Sequence, residues 1–305
     1  MSLTQLSAAE LMRRAADRHV LVPAFNVAHL PMVEPIIATV AALRTYALVE
    51  VARPDVEKFG AQSFAAVAEE YHRLADREVT RLHLDHVPVI DEDEQQVEWR
   101  RLIAEALDLG YDSVMIDGSR LPLGENIATT RAVAEMAHPL DRPVEAELGA
   151  VLGHEAGPLP PYEELFASGK GFTDPAEARR FVEESQCDWL SVAVGNIHGA
   201  ISAAGRDQTK VQARLNLEHL KLLREATGLP MVLHGGSGIQ AEYLRAATGE
   251  GIAKINVGTE IRQAYERTLA TTDDVAQAQA AVSDSMRSLI VDIYRMEGSA
   301  ERLAD

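Results

Sequence analysis

The sequence predicts an α/β protein, a closed (β/α)8 barrel of the TIM type, on three observations. Eight short, β-branched, nearly continuous apolar runs recur along the 305 residues, and each is followed by a longer segment with helical spacing. Strands apolar on both faces belong to a parallel sheet covered by helices, and eight such repeats close the sheet on itself. The turn after the first run, Phe25-Asn26-Val27-Ala28, also lacks the glycines that an open dinucleotide-binding sheet displays there.

In chain order the runs are Val22 to Val27, Ala47 to Val51, Thr80 to Asp85, Ser113 to Ile116, Pro143 to Leu148, Trp189 to Val194, Met231 to His234, and Ile252 to Val257. Among the helical segments, Asp174-Pro175-Ala176-Glu177 opens one that runs to about Glu184: Asp174 caps it, Pro175 fits the first turn and Glu177 reaches back. The acidic run Asp91-Glu92-Asp93-Glu94 precedes another, where it favours the positive end of the helix dipole. From about residue 274 a C-terminal helical extension, Asp274 to Arg295, offers Met286, Leu289, Ile290 and Ile293 for core or subunit packing. The connection at about 149–172 is long for a βα loop and rich in Gly and Pro, which marks it as an active-site lid. A second polar loop covers Gly199 to Gln212, and the whole of 1–305 reads as one domain.

Composition excludes several classes of function. With 29 basic and 47 acidic residues the formal charge is −18, and no dense basic stripe offsets it, so a phosphate backbone would be repelled and nucleic acid is not an expected partner. The single cysteine, Cys187, excludes an internal disulfide and a thiolate zinc ribbon, which fits a reducing cytoplasm. No apolar run reaches the roughly 18 residues that span a bilayer, and no signal-peptide core follows Met12-Arg13-Arg14, so no membrane association is expected.

In a barrel of this kind the chemistry sits at the C-terminal ends of the strands, where residues distant in sequence converge. His86 ends the third strand, His198 follows the sixth, and His234 ends the seventh. Three neutral imidazoles with a fourth position open to substrate match a catalytic rather than a structural zinc site, and Glu147, at the end of the fifth strand, can serve as an alternate ligand. Asp85 directly precedes His86, so in an extended strand the two side chains diverge unless the chain turns there; it serves either as a proton acceptor beside the metal or as a salt-bridged strand-end carboxylate. His83 stands behind the metal or in the core. Gly235-Gly236-Ser237-Gly238 and Asn256-Val257-Gly258-Thr259 each precede a helix, where backbone N–H groups can cradle a phosphate or simply make a tight turn. Arg53 either binds an anion or pairs with an acidic neighbour.

These residues resemble the class II, metal-dependent ketose-bisphosphate aldolases, of the fructose- and tagatose-bisphosphate type, over nearly the whole chain. The resemblance lies in seven ordered motifs: Ala24-Phe25-Asn26-Val27, His83-Leu84-Asp85-His86, Ser113-Val114-Met115-Ile116-Asp117-Gly118-Ser119, Val144-Glu145-Ala146-Glu147-Leu148-Gly149, Gly195-Asn196-Ile197-His198-Gly199, Leu233-His234-Gly235-Gly236-Ser237-Gly238, and Lys254-Ile255-Asn256-Val257. It implies one Zn2+ on His86, His198 and His234, with Glu147 as a further ligand, Glu145, His83 and Asp117 behind them, and a monovalent cation, Na+ or K+, near the phosphate loops. It further implies that Asp85 shuttles a proton at the C4 hydroxyl, that Glu155 in the lid exchanges the proton on the triose carbon, and that Asn256 contacts the enediolate of dihydroxyacetone phosphate. Asn26, Gly199, Gly235, Gly236, Ser237, Gly258, Thr259 and Arg53 would line the substrate and its phosphates, and a homodimer or homotetramer is the expected assembly.

The sequence departs from the family pattern at three places. Ser202 stands where the family has a lysine directed at the triose phosphate, Ala52 where a small hydroxyl residue is usual near the distal phosphate, and Val87 where a glycine follows the Asp-His pair. Metal chemistry is kept where phosphate recognition has changed. The alternatives are therefore an aldolase for a different ketose phosphate or acidic sugar, and a non-catalytic sugar-phosphate-binding homologue.

Overall fold

Each predicted run forms a strand, and the eight strands pair in parallel and in chain order, with the last returning to the first to close the barrel. A computed structural model describes residues 2–149, 161–196, 213–236 and 238–304. The strands are β1 (Val22–Asn26), β2 (Ala47–Ala52), β3 (Thr80–Pro88), β4 (Ser113–Asp117), β5 (Val144–Leu148), β6 (Trp189–Val192), β7 (Met231–Leu233) and β8 (Ile252–Val257). Nearly every strand residue is buried, as the continuous apolar runs require of a sheet covered on both faces.

The helices α1 (Ala8–Asp17), α2 (Val33–Ala42), α3 (Arg53–Glu57), α4 (Phe64–Leu74), α5 (Trp99–Asp108), α6 (Leu123–Ala137), α7 (Tyr162–Ser168), α8 (Pro175–Ser185), α9 (Leu217–Thr227), α10 (Ala241–Gly249), α11 (Thr259–Thr272), α12 (Val275–Arg287) and α13 (Ser299–Ala304) form the outer layer. Their starts follow local chemistry. Ser7 and Glu10 form a reciprocal capping box on α1, and Asp174 accepts the backbone N–H groups of Ala176 and Glu177 to start α8, followed by Pro175. None of these helices is long and apolar enough to cross a membrane. Beyond α12 a π-helical turn, Ser288–Tyr294, buries Leu289 and Ile290, with Met286 before it, while Ile293 packs against the core from its edge.

Two expectations about local structure are corrected. The third strand does not end at Asp85; it runs on to Pro88 through a bulge, where its register with β4 shifts between Leu84 and Val87 and His86 takes φ +36°. The acidic run does not sit on a helix N-terminus, because α5 starts only at Trp99. It makes a turn instead: Asp91 accepts the N–H groups of Asp93 and Gln95 and pairs with Arg53 at 3.1 Å, and Glu92 pairs with Lys58. Carboxylates this close to fixed cations gain more there than from a dipole a full turn away.

The barrel floor is closed by the N-terminal segment. Arg81, fully buried at the start of β3, donates to the carbonyls of Arg77, Thr80, Leu3 and Leu6 at 2.5 to 3.0 Å. Its guanidinium thereby satisfies the buried carbonyls of Leu3, Leu6 and Thr80 together with the partly buried one of Arg77. Arg81→Met should lower stability by roughly 3 kcal/mol through the orphaned carbonyls. Turnover per folded molecule should be unchanged, because Arg81 opens the strand whose far end carries Asp85 and His86. Urea denaturation beside an active-site titration checks both, and an unshifted midpoint would contradict this account of the floor.

Candidate active site

Strand alternation puts His83 and Asp85, Glu145 and Glu147, and Lys254 and Asn256 on matching faces of β3, β5 and β8. Contacts between strands that are not neighbours prove that this face is the interior. Lys254 Nζ on β8 reaches Glu145 Oε2 on β5 at 2.9 Å, and His83 Nε2 on β3 lies 3.4 Å from the same oxygen. Asn256 on β8 donates to Asp85 on β3 at 2.8 Å. Two polar layers result, a deep one of Glu50, His83, Glu145 and Lys254, and above it Asp85, Glu147 and Asn256 with His86 and His234.

His86 and His234 come together at the rim. His86 Nε2 and His234 Nδ1 are 2.6 Å apart, with the rings edge to face. The bulge produces this: with His86 in left-handed backbone, its side chain leaves the alternation and joins that of Asp85 instead of pointing away. His234 follows β7, and its carbonyl accepts from Asn196 at 3.0 Å, which holds the end of β7 to the end of β6. Its Nε2 lies 2.8 Å from Glu145 Oε1, and its Nδ1 is 3.8 Å from Glu147 Oε2. Glu147 accepts from Ser191 at 3.3 Å. Asp117, at the end of β4, lies 3.7 Å from His86 Nδ1 and is fixed by Ser119.

Electrostatically the rim is a trap for cations. Burial works against a charge on His86, but Asp85 foremost, with Asp117 and Glu147, pushes its imidazole up to about 10. Burial and the positive His86 depress His234. Burial opposes the charge on Asp85 as well, yet His86, Lys254 and His234 hold its carboxyl at about 2. Glu147 is raised well above the carboxylate range, first by burial and then by Asp117. Two donor nitrogens converging on one point, ringed by Asp85, Asp117 and Glu147, fit a divalent metal ion: Asp85, His86 and His234 present ligand atoms within 4.8 Å of one another, as do His86, Asp117 and Glu147.

Asp85 is held from two sides. Asn26 on β1 donates to one oxygen at 3.0 Å and Asn256 to the other at 2.8 Å, so both lone-pair directions are set by amides from strands flanking the β1/β8 seam. Gly235 and Gly236 follow β7, beside Gly258 and Thr259, which open α11 after β8. A Cβ on Gly236 would lie 2.4 Å from Ile255 Cγ1 and 2.9 Å from the Asn256 carbonyl, so only glycine fits between the two strand ends. Arg53 opens α3 and its guanidinium is engaged by Glu57 at 2.7 Å and Asp91 at 3.1 Å. His198, Glu155, Gly199 and Ser237 lie outside the described residues, as do Ser202 and residues 150–160 of the connection at about 149–172.

Three contributors escaped the sequence reading. Glu50 and Lys254 occupy the deep layer, and Asn126 on α6 donates to the Glu147 carbonyl at 3.0 Å. Alternation alone would have placed Lys254 on the face of Asn256, but a lysine in a strand gives no sign of which carboxylate it crosses the barrel to meet.

A closed barrel with histidines and carboxylates gathered at one rim is a site of the kind that can hold a catalytic metal ion. The chain matches the family model described as fructose-bisphosphate aldolase class-II over residues 6–302, and it belongs to that family. It is 35% identical over 295 residues to a 6-phospho-5-dehydro-2-deoxy-D-gluconate aldolase of Halalkalibacterium halodurans, covering 93% of this chain and 92% of the relative. The crystal structure of the YdjI aldolase of Escherichia coli K12 superposes with a TM-score of 0.73 at 26% identity, covering 96% of this chain and 98% of that one. A fructose-bisphosphate aldolase of Campylobacter jejuni shares the barrel at a TM-score of 0.74, 16% identity, and 96% of each chain. Class II aldolases depend on a metal ion, and the residues gathered here are of the type that holds one.

The surrounding carboxylates favour the protonated form of His86, and coordination needs the bare imidazole, so a metal ion held by His86 would have to displace that proton. Zinc affinity should rise with pH through neutrality, with about one proton released per ion bound. Titration calorimetry in two buffers of different ionisation enthalpy reads the proton count, and uptake without release would contradict the assignment.

Proposed function

We propose that this enzyme is a zinc-dependent aldolase that cleaves, or forms, a phosphorylated ketose through the enediolate of dihydroxyacetone phosphate. The observation that carries the reading is the meeting of His86 Nε2 and His234 Nδ1 beside an Asp85 carboxylate pinned by two amides. His86 and His234, with His198 as the third ligand by sequence and Glu147 as an alternate, would hold the ion. When bound, it supplies Lewis-acid polarisation of the substrate ketone.

The residues of the chain do the rest. Asp85, ionised and aimed by Asn26 and Asn256, takes the proton of the hydroxyl on the carbon that leaves as aldehyde, and returns it in synthesis. Asn256 can turn the same amide toward the substrate oxygens, and Glu155 is assigned the proton on the triose carbon. The triose phosphate is assigned to the N–H groups around Gly235, Gly236, Ser237, Gly258 and Thr259, with Gly199 and Asn26 at its edge and a monovalent cation beside it. The chain reads as one domain over 1–305, working as a homodimer or homotetramer.

For the far end of the substrate, the reading favours a ketose with one phosphate and a distal carboxylate over a bisphosphate. Ala52 offers no hydroxyl at the end of β2, and Arg53 is already paired with Glu57 and Asp91. The relative from Halalkalibacterium halodurans is named for such a substrate. Retro-aldol cleavage of 6-phospho-5-dehydro-2-deoxy-D-gluconate gives dihydroxyacetone phosphate and a three-carbon oxo acid, so the metal chemistry is unchanged.

Release of dihydroxyacetone phosphate should be abolished by chelator and restored by Zn2+. The keto acid monophosphate should be cleaved with a higher kcat/KM than fructose 1,6-bisphosphate or tagatose 1,6-bisphosphate. The reverse order would return the assignment to the bisphosphates, and release of no triose phosphate from any of the three would count against aldolase activity. Asp85→Ala should retain metal and lose roughly 10²- to 10⁴-fold in kcat; turnover near the parent's would remove Asp85 from the proton-transfer role.

A further inference from the structure

Lys254 is fully buried, and an ammonium in that position is strongly unfavourable unless its partners compensate for the lost water. Its partners are defined. Nζ lies 2.9 Å from Glu145 Oε2 and 3.3 Å from Glu50 Oε2, so the side chain is strung between β5 and β2 across the barrel. Neither Glu50 oxygen has a hydrogen-bond partner of good geometry, so the lysine leans toward Glu145.

The consequence appears at the other oxygen of Glu145. With Oε2 held by Lys254, the carboxylate plane is fixed and Oε1 faces His234 Nε2 at 2.8 Å. A carboxylate oxygen there accepts a hydrogen bond from Nε2–H, which keeps the proton on Nε2 and leaves the lone pair of the ring on Nδ1. Nδ1 is the nitrogen that meets His86 Nε2 at 2.6 Å. Without Lys254, Glu145 has three rotatable bonds and a competing neighbour in His83 Nε2, 3.4 Å away. Nothing else among its described contacts would hold Oε1 on His234.

We propose that Lys254 is a positioning residue for the metal centre: through Glu145 it selects the His234 tautomer that carries hydrogen on Nε2 and presents Nδ1 as a metal donor. The proposal rests on the reading of His234 as a metal ligand. Its partner of record is the buried carboxylate rather than the substrate, so it acts on metal affinity before it acts on turnover.

The test uses the full chain, Lys254→Met, and two readouts taken on folded protein. Zinc titration should give an affinity weaker by roughly 10- to 100-fold. Long-range proton–nitrogen correlation of the chelator-treated protein, with His234 assigned by its loss in His234→Gln, should show Nε2–H in the parent and a mixture of tautomers in the variant. Parent-like affinity and a parent-like tautomer in folded Lys254→Met would overturn the proposal, as would an Nδ1–H form in the parent. Should the single variant fail to fold, Glu50→Gln/Lys254→Met leaves two uncharged side chains facing each other and carries the same two readouts. Zinc binding at parental strength by His234→Gln would instead overturn the ligand assignment itself, which separates the two failures.

Discussion

Closing eight strands into a barrel denies water to every side chain on the inner face, and in this protein that face carries Glu50, His83, Asp85, Glu145, Glu147 and Lys254. Each charge must then find its complement inside the barrel. Burial works against the charge on Glu145, but Lys254 foremost, with His234 and His83, holds its carboxyl well below the usual range. Glu50 meets the same requirement in the opposite way, pushed well above that range by burial and by the nearby Asp85. The arrangement at the rim depends on this accounting, because His234 takes its orientation from Glu145 and Asp85 takes part of its charge stability from Lys254.

A second constraint is local and acts on the backbone. An unbroken β3 would point Asp85 and His86 to opposite faces, and the carboxylate and the imidazole could not then meet at the rim. One bulged residue with positive φ resolves this, at the cost of left-handed backbone at a histidine. Such a conformation is tolerated where the surroundings determine it, and here Asp117 and His234 do so.

On the proposed reading, metal chemistry and substrate choice lie in different parts of the molecule. The strand ends that gather His86, His234 and Asp85 are held by contacts inside the barrel, while the relatives that the chain resembles are named for different substrates. The end of β2, with Ala52, is one place where this chain differs from the family pattern, and there the acidic turn after β3 takes up Arg53. Sequence reasoning assigned that acidic run to a helix dipole because a helical pattern follows it. Only the three-dimensional proximity of Arg53 and Lys58 made ion pairing the stronger interaction.

What the chain determined by itself is whatever depends on short-range pattern. Runs such as Ala47 to Val51 and Ile252 to Val257 must be buried strands because they are apolar on both faces, Asp174-Pro175 must start a helix, and His86 and His234 must lie at one rim once the barrel is accepted. Only the tertiary structure decided which groups meet across the interior. That Lys254 pairs with Glu145, that Asn26 and Asn256 share Asp85, and that β3 bulges rather than ends all depend on strands distant in sequence, whose separation closes only with the barrel. Local pattern fixes the face on which a residue lies; the partner it finds there is set by packing and by the need to neutralise charge where there is no water.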